Sequence, residues 1–219
     1  MMQEPLVSII MCIRNGERFV GEALDSIAVQ VVQNSEVIVV DDGSTDSSAR
    51  IVERHPLAPE LLRQEALGFS AALNRGVHAA SGRFVAFIDS DDVWPADRMA
   101  HLLTAIDHHP EVEAVYGALI NTDSDLRPKQ QPIAARMLTT SLFRRDAAAR
   151  VGDLRTDVVH AANVDWISRA STAGLAFLAI DAVVLYRRIH DRNMSVVDRD
   201  RGKQDMLRVI RDHHARRIK

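Results

Sequence analysis

Blocks of apolar and polar residues alternate along the first hundred positions. Val7-Ser8-Ile9-Ile10-Met11-Cys12-Ile13 is a short, β-branched apolar run and predicts a buried parallel strand. Arg14-Asn15-Gly16 breaks it. Residues 17–29 then place Phe19, Val20, Ala23, Leu24 and Ile27 at the spacing of an amphipathic helix. Val37-Ile38-Val39-Val40 predicts a second buried strand, which ends in Asp41-Asp42-Gly43-Ser44-Thr45-Asp46, and a helix follows to about residue 55. Residues 61–64 form a short third strand and 70–80 a helix. A fourth strand over 84–88 ends in Asp89-Ser90-Asp91-Asp92. Strand, polar loop and helix in repetition predict a doubly wound α/β fold with right-handed crossovers.

The second half is less regular. The pattern predicts a helix over 99–108, a strand over 112–120 and a polar, proline-containing loop over 121–132. A strand-like segment covers 138–143, a short helix over 145–151 stops at Gly152, and a helix over 164–173 closes at Gly174. A strand over 176–186 and a helical tail from about 202 complete the chain. No composition shift marks a boundary, so residues 1–219 read as one domain.

Composition narrows the class. With 47% apolar and 26% charged residues and a mean hydropathy of -0.09, the chain is ordinary globular material rather than disordered or fibrous. Lys and Arg total 27 against 30 Asp and Glu, a net charge of -3, so no nucleic-acid partner is expected. The single cysteine, Cys12, excludes an internal disulfide and a cysteine-rich zinc site. No apolar stretch approaches the roughly 20 residues of a bilayer span. Met1-Met2-Gln3-Glu4-Pro5 lacks the basic start of a signal peptide. A cytoplasmic location is expected.

In open α/β sheets, ligands sit outside the carboxyl ends of the parallel strands. That rule gathers residues 12–17, 41–46 and 89–92 into one site. Two of these loops are acidic, which suits a bare phosphate only when a divalent cation such as Mg²⁺ or Mn²⁺ intervenes. Helix capping is the competing account for Ser44 or Thr45. It does not explain three carboxylates at 89–92, where the next helix is expected near Pro95, in the first helical position. The chain has no G-x-G-x-x-G after its first strand, no G-x-x-x-x-G-K-[ST] and no G-x-S-x-G.

Residues 7–15, the stretch Glu36-Val37-Ile38-Val39-Val40-Asp41-Asp42-Gly43-Ser44-Thr45-Asp46 and the stretch Gly82-Arg83-Phe84-Val85-Ala86-Phe87-Ile88-Asp89-Ser90-Asp91-Asp92-Val93-Trp94 closely resemble the family 2 glycosyltransferases of the GT-A fold. Leu142-Phe143-Arg144-Arg145-Asp146 through Val151-Gly152, and Tyr186-Arg187-Arg188-Ile189-His190 through Asn193-Met194-Ser195, extend the likeness over roughly residues 7–195. The resemblance implies a GT-A sheet, mostly parallel and flanked by helices, that binds a nucleotide-diphosphate sugar over about 1–95, with a UDP-sugar the first expectation. The acceptor, a glycan, a lipid-linked glycan or a small molecule, would bind over about 96–197, and residues 198–219 would form a basic helix. Cys12, Ile13, Arg14, Glu17, Asp42, Gly68, Asp89, Ser90 and Arg188 are the expected nucleotide-sugar contacts. Asp91 and His190 are the expected ligands of a divalent cation, Mn²⁺ or Mg²⁺. Transfer would invert the anomeric centre.

Departures from the family pattern qualify this. The usual Pro-Thr-Tyr-Asn is Cys12-Ile13-Arg14-Asn15, the family's Ala-Arg-Asn is Ala72-Leu73-Asn74, and the Glu-Asp pair that often contains the base is Ala162-Asn163. Asparagine cannot take a proton, so Asp165 is the candidate base; its alternative role is a helix ion pair with Arg169. A catalytically degenerate nucleotide-sugar-binding protein is the competing function. A nucleotidyltransferase would need a Gly-rich, Lys/Arg-containing first loop, which is absent. Trp94 and Trp166 read as packing residues beside the site, and His108-His109 and His213-His214 as solvated surface. The tail carries eight basic and four acidic residues from Asp198 onward. It reads as a solvated face or as a peripheral contact with the inner face of a membrane. The short acceptor half hints at a site completed by a second subunit, as in a homodimer.

Overall fold

The computed structural model describes residues 4–30, 32 and 34–217; residues 1–3 of the N-terminal segment and the last two residues of the tail lie outside the described residues. Four buried runs form β1 (Val7–Ile13), β2 (Ser35–Asp42), β3 (Glu60–Gln64) and β4 (Phe84–Asp89), paired in parallel in the order β3-β2-β1-β4. They are joined by α1 (Val20–Ala28), α2 (Ser48–Arg54) and α3 (Phe69–Ala79). These strands read as continuous apolar runs because both faces are covered. Val7, Ile9, Met11 and Ile13 pack on one side with Val20, Ala23 and Leu24 of α1. Ile10 and Cys12 pack on the other with Ala72 and Leu73 of α3. At Gly76 the approach is so close that a Cβ would lie 2.5 Å from the Ile10 side chain.

After β4 the chain forms α4 (Arg98–His108), β5 (Ala114–Thr122), β6 (Ile133–Ala134), β7 (Ser141–Arg144) and α5 (Arg145–Val151). It continues as α6 (Ala162–Thr172), β8 (Phe177–Arg188), α7 (Met194–Val197) and α8 (Arg199–Arg217). β7 joins the sheet antiparallel to β4 and pairs antiparallel with β5, which pairs parallel with β8. The architecture is the expected mostly parallel α/β sheet flanked by helices. No helix among the described residues is long and apolar enough to cross a membrane.

Several boundaries differ from the sequence pattern. α4 begins at Arg98, so Pro95 is not its first residue; the Pro95 carbonyl accepts instead from the Arg98 N–H at 3.1 Å. α6 starts at Ala162 rather than at 164. The loop expected over 121–132 begins with the last two residues of β5, and the short β6 follows it at Ile133. Trp94 and Trp166 are 2% and 3% exposed core residues. Trp94 lies under the Arg98 guanidinium, and the Trp166 indole N–H donates to the Gly152 carbonyl.

Buried Arg98 holds the second half together. It is fully enclosed, and its guanidinium donates to the carbonyls of Thr139 (2.8 Å), Val184 (2.7 Å) and Ser141 (3.3 Å). One side chain thus fixes the start of β7 against β8.

Candidate active site

The carboxyl ends of β1, β2 and β4 open into one cleft of about 1060 Å³. Two loops at one end of it are laced together. The Asn15 N–H donates to Ser44 Oγ (3.0 Å), the Thr45 N–H to Asn15 Oδ1 (2.8 Å), and the Ser47 N–H to Glu17 Oε2 (3.0 Å). The residues read as possible caps of α2 therefore tie loop to loop; Ser47 occupies the N-cap position. Asp41 accepts from the Ser44 N–H at 2.9 Å.

Asp42 anchors the next loop. Its carboxylate accepts from Gln64 Nε2 (2.8 Å), the Leu67 N–H (2.8 Å) and the Gly68 N–H (2.9 Å). Gly68 has φ of 98°, a conformation that side chains disfavour, and this turns its N–H toward Asp42 at the start of α3. The exposed Arg14 guanidinium lies 3.9 Å from Asp42. Phe69 and Leu73 supply the apolar wall between them.

At the centre of the cleft, Asp89, Asp91 and Asp92 each present an oxygen within 4.8 Å of the others. Burial, reinforced by the Asp91 charge and opposed by Arg187, pushes the Asp89 carboxyl up to about 7. Burial and then the charges of Asp89 and Asp91 raise Asp92 as well. Three hard oxygen donors, two of them held back from ionising, suit a divalent cation, whose charge removes the repulsion. The Asp92 carboxylate also accepts from the Arg188 N–H at 2.9 Å, joining the end of β8 to the triad.

His190 lies beside this cluster. Its Nε2 is 3.0 Å from Asp91 Oδ2, its ring packs on Phe19, and Asn193 Nδ2 donates to the same Asp91 oxygen at 2.9 Å. The loop after β8 is thereby pinned over the acidic centre.

The structure brings together Cys12, Arg14, Asp42, Gly68, Asp89, Ser90 and Asp91 along the cleft wall, with His190 against Asp91. Four sequence-derived candidates fall elsewhere. Ile13 is buried in the core between sheet and helix. Glu17 serves the loop lacing: its own N–H donates to Asp46 and its carboxylate accepts from Ser47. Arg188 is 1% exposed, donates to Glu22 Oε2 (2.7 Å) and the Ser124 carbonyl (3.1 Å), and stacks over Phe19. Successive side chains of a strand point to opposite faces, so Arg187 lines the cleft instead.

Asp165 is the fourth. It is 1% exposed, accepts from Arg169 Nε at 2.8 Å and lies 3.5 Å from Arg155 Nη1. Two residues apart on a helix means about 200° of rotation, so Asn163 faces the cleft and Asp165 faces the protein. The Asn163 amide oxygen accepts from the Leu138 N–H at 3.1 Å.

The far wall holds residues that sequence reasoning did not assign to the site. His160 and Thr139 line it, together with Arg199, Lys203, Met206 and Leu207 of α8. The tail thus closes one side of the cleft rather than forming only a solvated face. Behind Met137 and Asn163 a second groove of about 690 Å³ runs between α6 and α8. There Ser168 Oγ lies 2.6 Å from His213 Nδ1, so His213 is a half-buried partner and not free surface.

Residues 8–163 match the sequence profile of glycosyl transferase family 2. The chain belongs to that family. The UDP-Glc:alpha-D-GlcNAc-diphosphoundecaprenol beta-1,3-glucosyltransferase WfgD of Escherichia coli is 39% identical over 100 residues, 45% of this chain and 40% of that protein. Mannosyltransferase PcManGT from Pyrobaculum calidifontis, solved with GDP-Man and Mn²⁺, superposes with a TM-score of 0.75 at 25% identity, over 99% of this chain and 65% of that one. TarS 1-349 of S. aureus superposes with a TM-score of 0.76 at 20% identity, over 94% of this chain and 64% of that one, a likeness of fold. The chain spans between 14% and 40% of the length of the first curated relatives it matches. The family 2 sheet therefore carries its acidic loops at the carboxyl edge, as the sequence motifs imply.

Proposed function

We propose that the chain is a glycosyltransferase that moves a sugar from a nucleoside-diphosphate donor to an acceptor hydroxyl, with inversion and with a bound divalent cation. The observation that carries this reading is one continuous cleft with Asp42, Arg14 and Phe69 at one end and the Asp89–Asp91–Asp92 oxygens at its centre. The first end offers charged and aromatic groups to a base and ribose. The centre fits a cation that would neutralise the departing diphosphate as a Lewis acid, a contribution of several kcal/mol to the transition state. A UDP-sugar is the first donor on this reading, with a GDP-sugar beside it, since the relatives include a UDP-Glc enzyme and a GDP-Man complex.

The side chains divide the remaining work. Asp42 and Gly68 hold the base-end loop in one shape, which limits the ordering cost of donor binding. His190 and Asn193 position Asp91 and keep a loop closed over the diphosphate region. Arg187 and Arg192 add positive charge to that wall. The acceptor enters from the side of α6 and α8, where the second groove adjoins the cleft at Asn163. A lipid-linked acceptor would agree with the exposed Leu207 and the basic residues of α8. A binding-only reading draws on one specific observation, the amide of Asn163 where the family often carries a carboxylate.

Thermal stability against UDP, GDP, ADP and CDP, each with and without Mn²⁺, tests the donor half. A ligand at about 100 times its dissociation constant adds roughly 2.7 kcal/mol, a melting shift of about 5–10 °C at this size. The expected result is a metal-dependent shift with one nucleotide; no shift with any of them in the folded protein overturns the reading.

A further inference from the structure

Inverting transfer needs a group that takes the acceptor proton, and neither the family's usual position at Asn163 nor the sequence candidate Asp165 supplies it. Asn163 faces the cleft but is an amide. Asp165 is a carboxylate but is 1% exposed and bound to two arginines. Three residues before Asn163, in the turn that leads into α6, however, the cleft wall presents His160. Its Nε2 lies 3.2 Å from Asp198 Oδ2, its side chain is 10% exposed, and its backbone N–H donates to Asp205 Oδ2 at 3.0 Å. Gly202 of α8 packs against the ring. An imidazole fixed by a carboxylate and open to a substrate cleft is the arrangement of an oriented general base.

We propose that His160, oriented by Asp198, is the general base of the transfer. This rests on the glycosyltransferase reading above. The step uses the tautomer in which His160 donates its Nε2–H to Asp198, which leaves the Nδ1 lone pair for the acceptor hydroxyl. As the acceptor oxygen bonds to the anomeric carbon, its proton passes to Nδ1. The bond from that carbon to the diphosphate oxygen breaks, and its electron pair leaves with the nucleoside diphosphate. The imidazolium is held by the Asp198 carboxylate until its proton returns to solvent. The charged groups about the ring are Asp198 and Asp205, with Arg199 and Lys203 on the same cleft wall. Asp198 is a positioning residue and sits at the junction of α7 and α8, so the C-terminal helix completes the site as well as covering it.

The test uses the full chain with Mn²⁺ and UDP-glucose, UDP-N-acetylglucosamine or GDP-mannose, with water as acceptor and nucleoside diphosphate release as the readout. Melting shifts with the matching nucleoside diphosphate are measured in parallel. His160→Gln should lower kcat by about 10²–10⁴-fold with the nucleotide melting shift and donor KM unchanged. Asp198→Asn should lower kcat by about tenfold, again without moving donor KM. His160→Gly should regain turnover with added imidazole, which a purely structural histidine would not. Turnover by His160→Gln within threefold of wild type overturns the base. So does a wild type that binds a nucleoside diphosphate with Mn²⁺ yet releases none from any donor, an outcome that leaves the donor-binding cleft standing. A wild type that binds no nucleotide overturns the glycosyltransferase reading, and the base with it.

Discussion

The half built on β1–β4 and the half built on β5–β8 position their functional groups by different means. In the first, each side chain stands at the end of its own strand, and neighbouring loops are joined by short bonds such as Asn15 to Ser44 and Asp42 to Gly68. In the second, placement depends on partners far along the chain. Arg98 reaches the carbonyls of Thr139 and Val184, Arg188 reaches Glu22, and His160 is held by Asp198 and Asp205. A partly exposed strand-end carboxylate such as Asp91 can be changed with little effect on the fold, whereas the buried Arg98 cannot. The first half should therefore lose function before stability when mutated, and the second half stability before function, except at the cleft wall itself.

The sharpest break of that comparison is Asp91→Asn. Removing one hard ligand should lower metal-dependent turnover by about 10³–10⁴-fold, some 4–5.5 kcal/mol of transition-state stabilisation. The melting temperature without metal should hold or rise slightly, because the charge that crowds Asp89 and Asp92 has gone. A large loss of stability without metal would show that the triad is structural. Arg98→Met is the counterpart in the other half. It leaves the three carbonyls of Thr139, Val184 and Ser141 without their donor, at a cost of about 3 kcal/mol or more. A melting temperature lowered by roughly 6–12 °C is expected, with nucleotide binding retained at temperatures where the protein is folded.

Asp165→Asn sharpens the line within α6. Buried between Arg155 and Arg169, it should cost about 2 kcal/mol of stability and leave kcat within threefold, the reverse of the expectation for a base. A kcat loss of 100-fold with unchanged stability would return the base to Asp165.

The contrast between the halves also explains what the sequence made legible. The buried strands β1, β2 and β4 are uninterrupted apolar runs, and their acidic ends mark the site without knowledge of anything distant. Cys12, Arg14, Asp42, Asp89 and Asp91 were readable for that reason. Which of Arg187 and Arg188 faces the cleft depends on the register of β8 against β5. That pairing contains irregularities at Tyr116/Ala118 and Ala118/Leu119, which no local pattern reports. The choice between Asn163 and Asp165 depends on the phase of α6, and the pattern started that helix two residues late. The return of α8 over the cleft, and with it the pairing of His160 with Asp198, is a contact across 38 residues. Its only sequence signal was a histidine shortly before a helix that was expected to carry a carboxylate.

The acidic centre gives a pH signature of intermediate size. Asp89 is pushed up to about 7 from an ordinary 3.8 by burial and by the Asp91 charge. Its contribution to stability without metal is therefore full below about pH 4 and lost as pH rises through about 7. Cation binding needs the ionised carboxylates and displaces that proton. The melting gain from Mn²⁺ should accordingly grow from pH 5.5 to 7.5, with affinity rising by at least about tenfold per pH unit, and the raised Asp92 carboxyl extends that rise to higher pH. A gain independent of pH over that range would place the cation away from Asp89.

Arg14→Ala carries the smallest expected effect and separates the halves most cleanly. The guanidinium is exposed, and its 3.9 Å contact with Asp42 is a surface ion pair of little energetic weight. Stability should change by no more than about 0.5 kcal/mol. Arg14 nevertheless lines the end of the cleft proposed for the nucleobase, on which a planar cation can stack. Nucleotide affinity measured by calorimetry should fall by about tenfold, near 1.4 kcal/mol. Arg14→Tyr, which restores the aromatic residue usual in the family, should recover most of that loss, because a flat ring replaces a flat cation. If both variants bind like wild type, the nucleobase does not sit on Arg14 and is held instead by Phe69 and Leu73. If Arg14→Ala lowers the melting temperature by several degrees, the base-end loops depend on this side chain, and the first half shares the second half's dependence of function on structure.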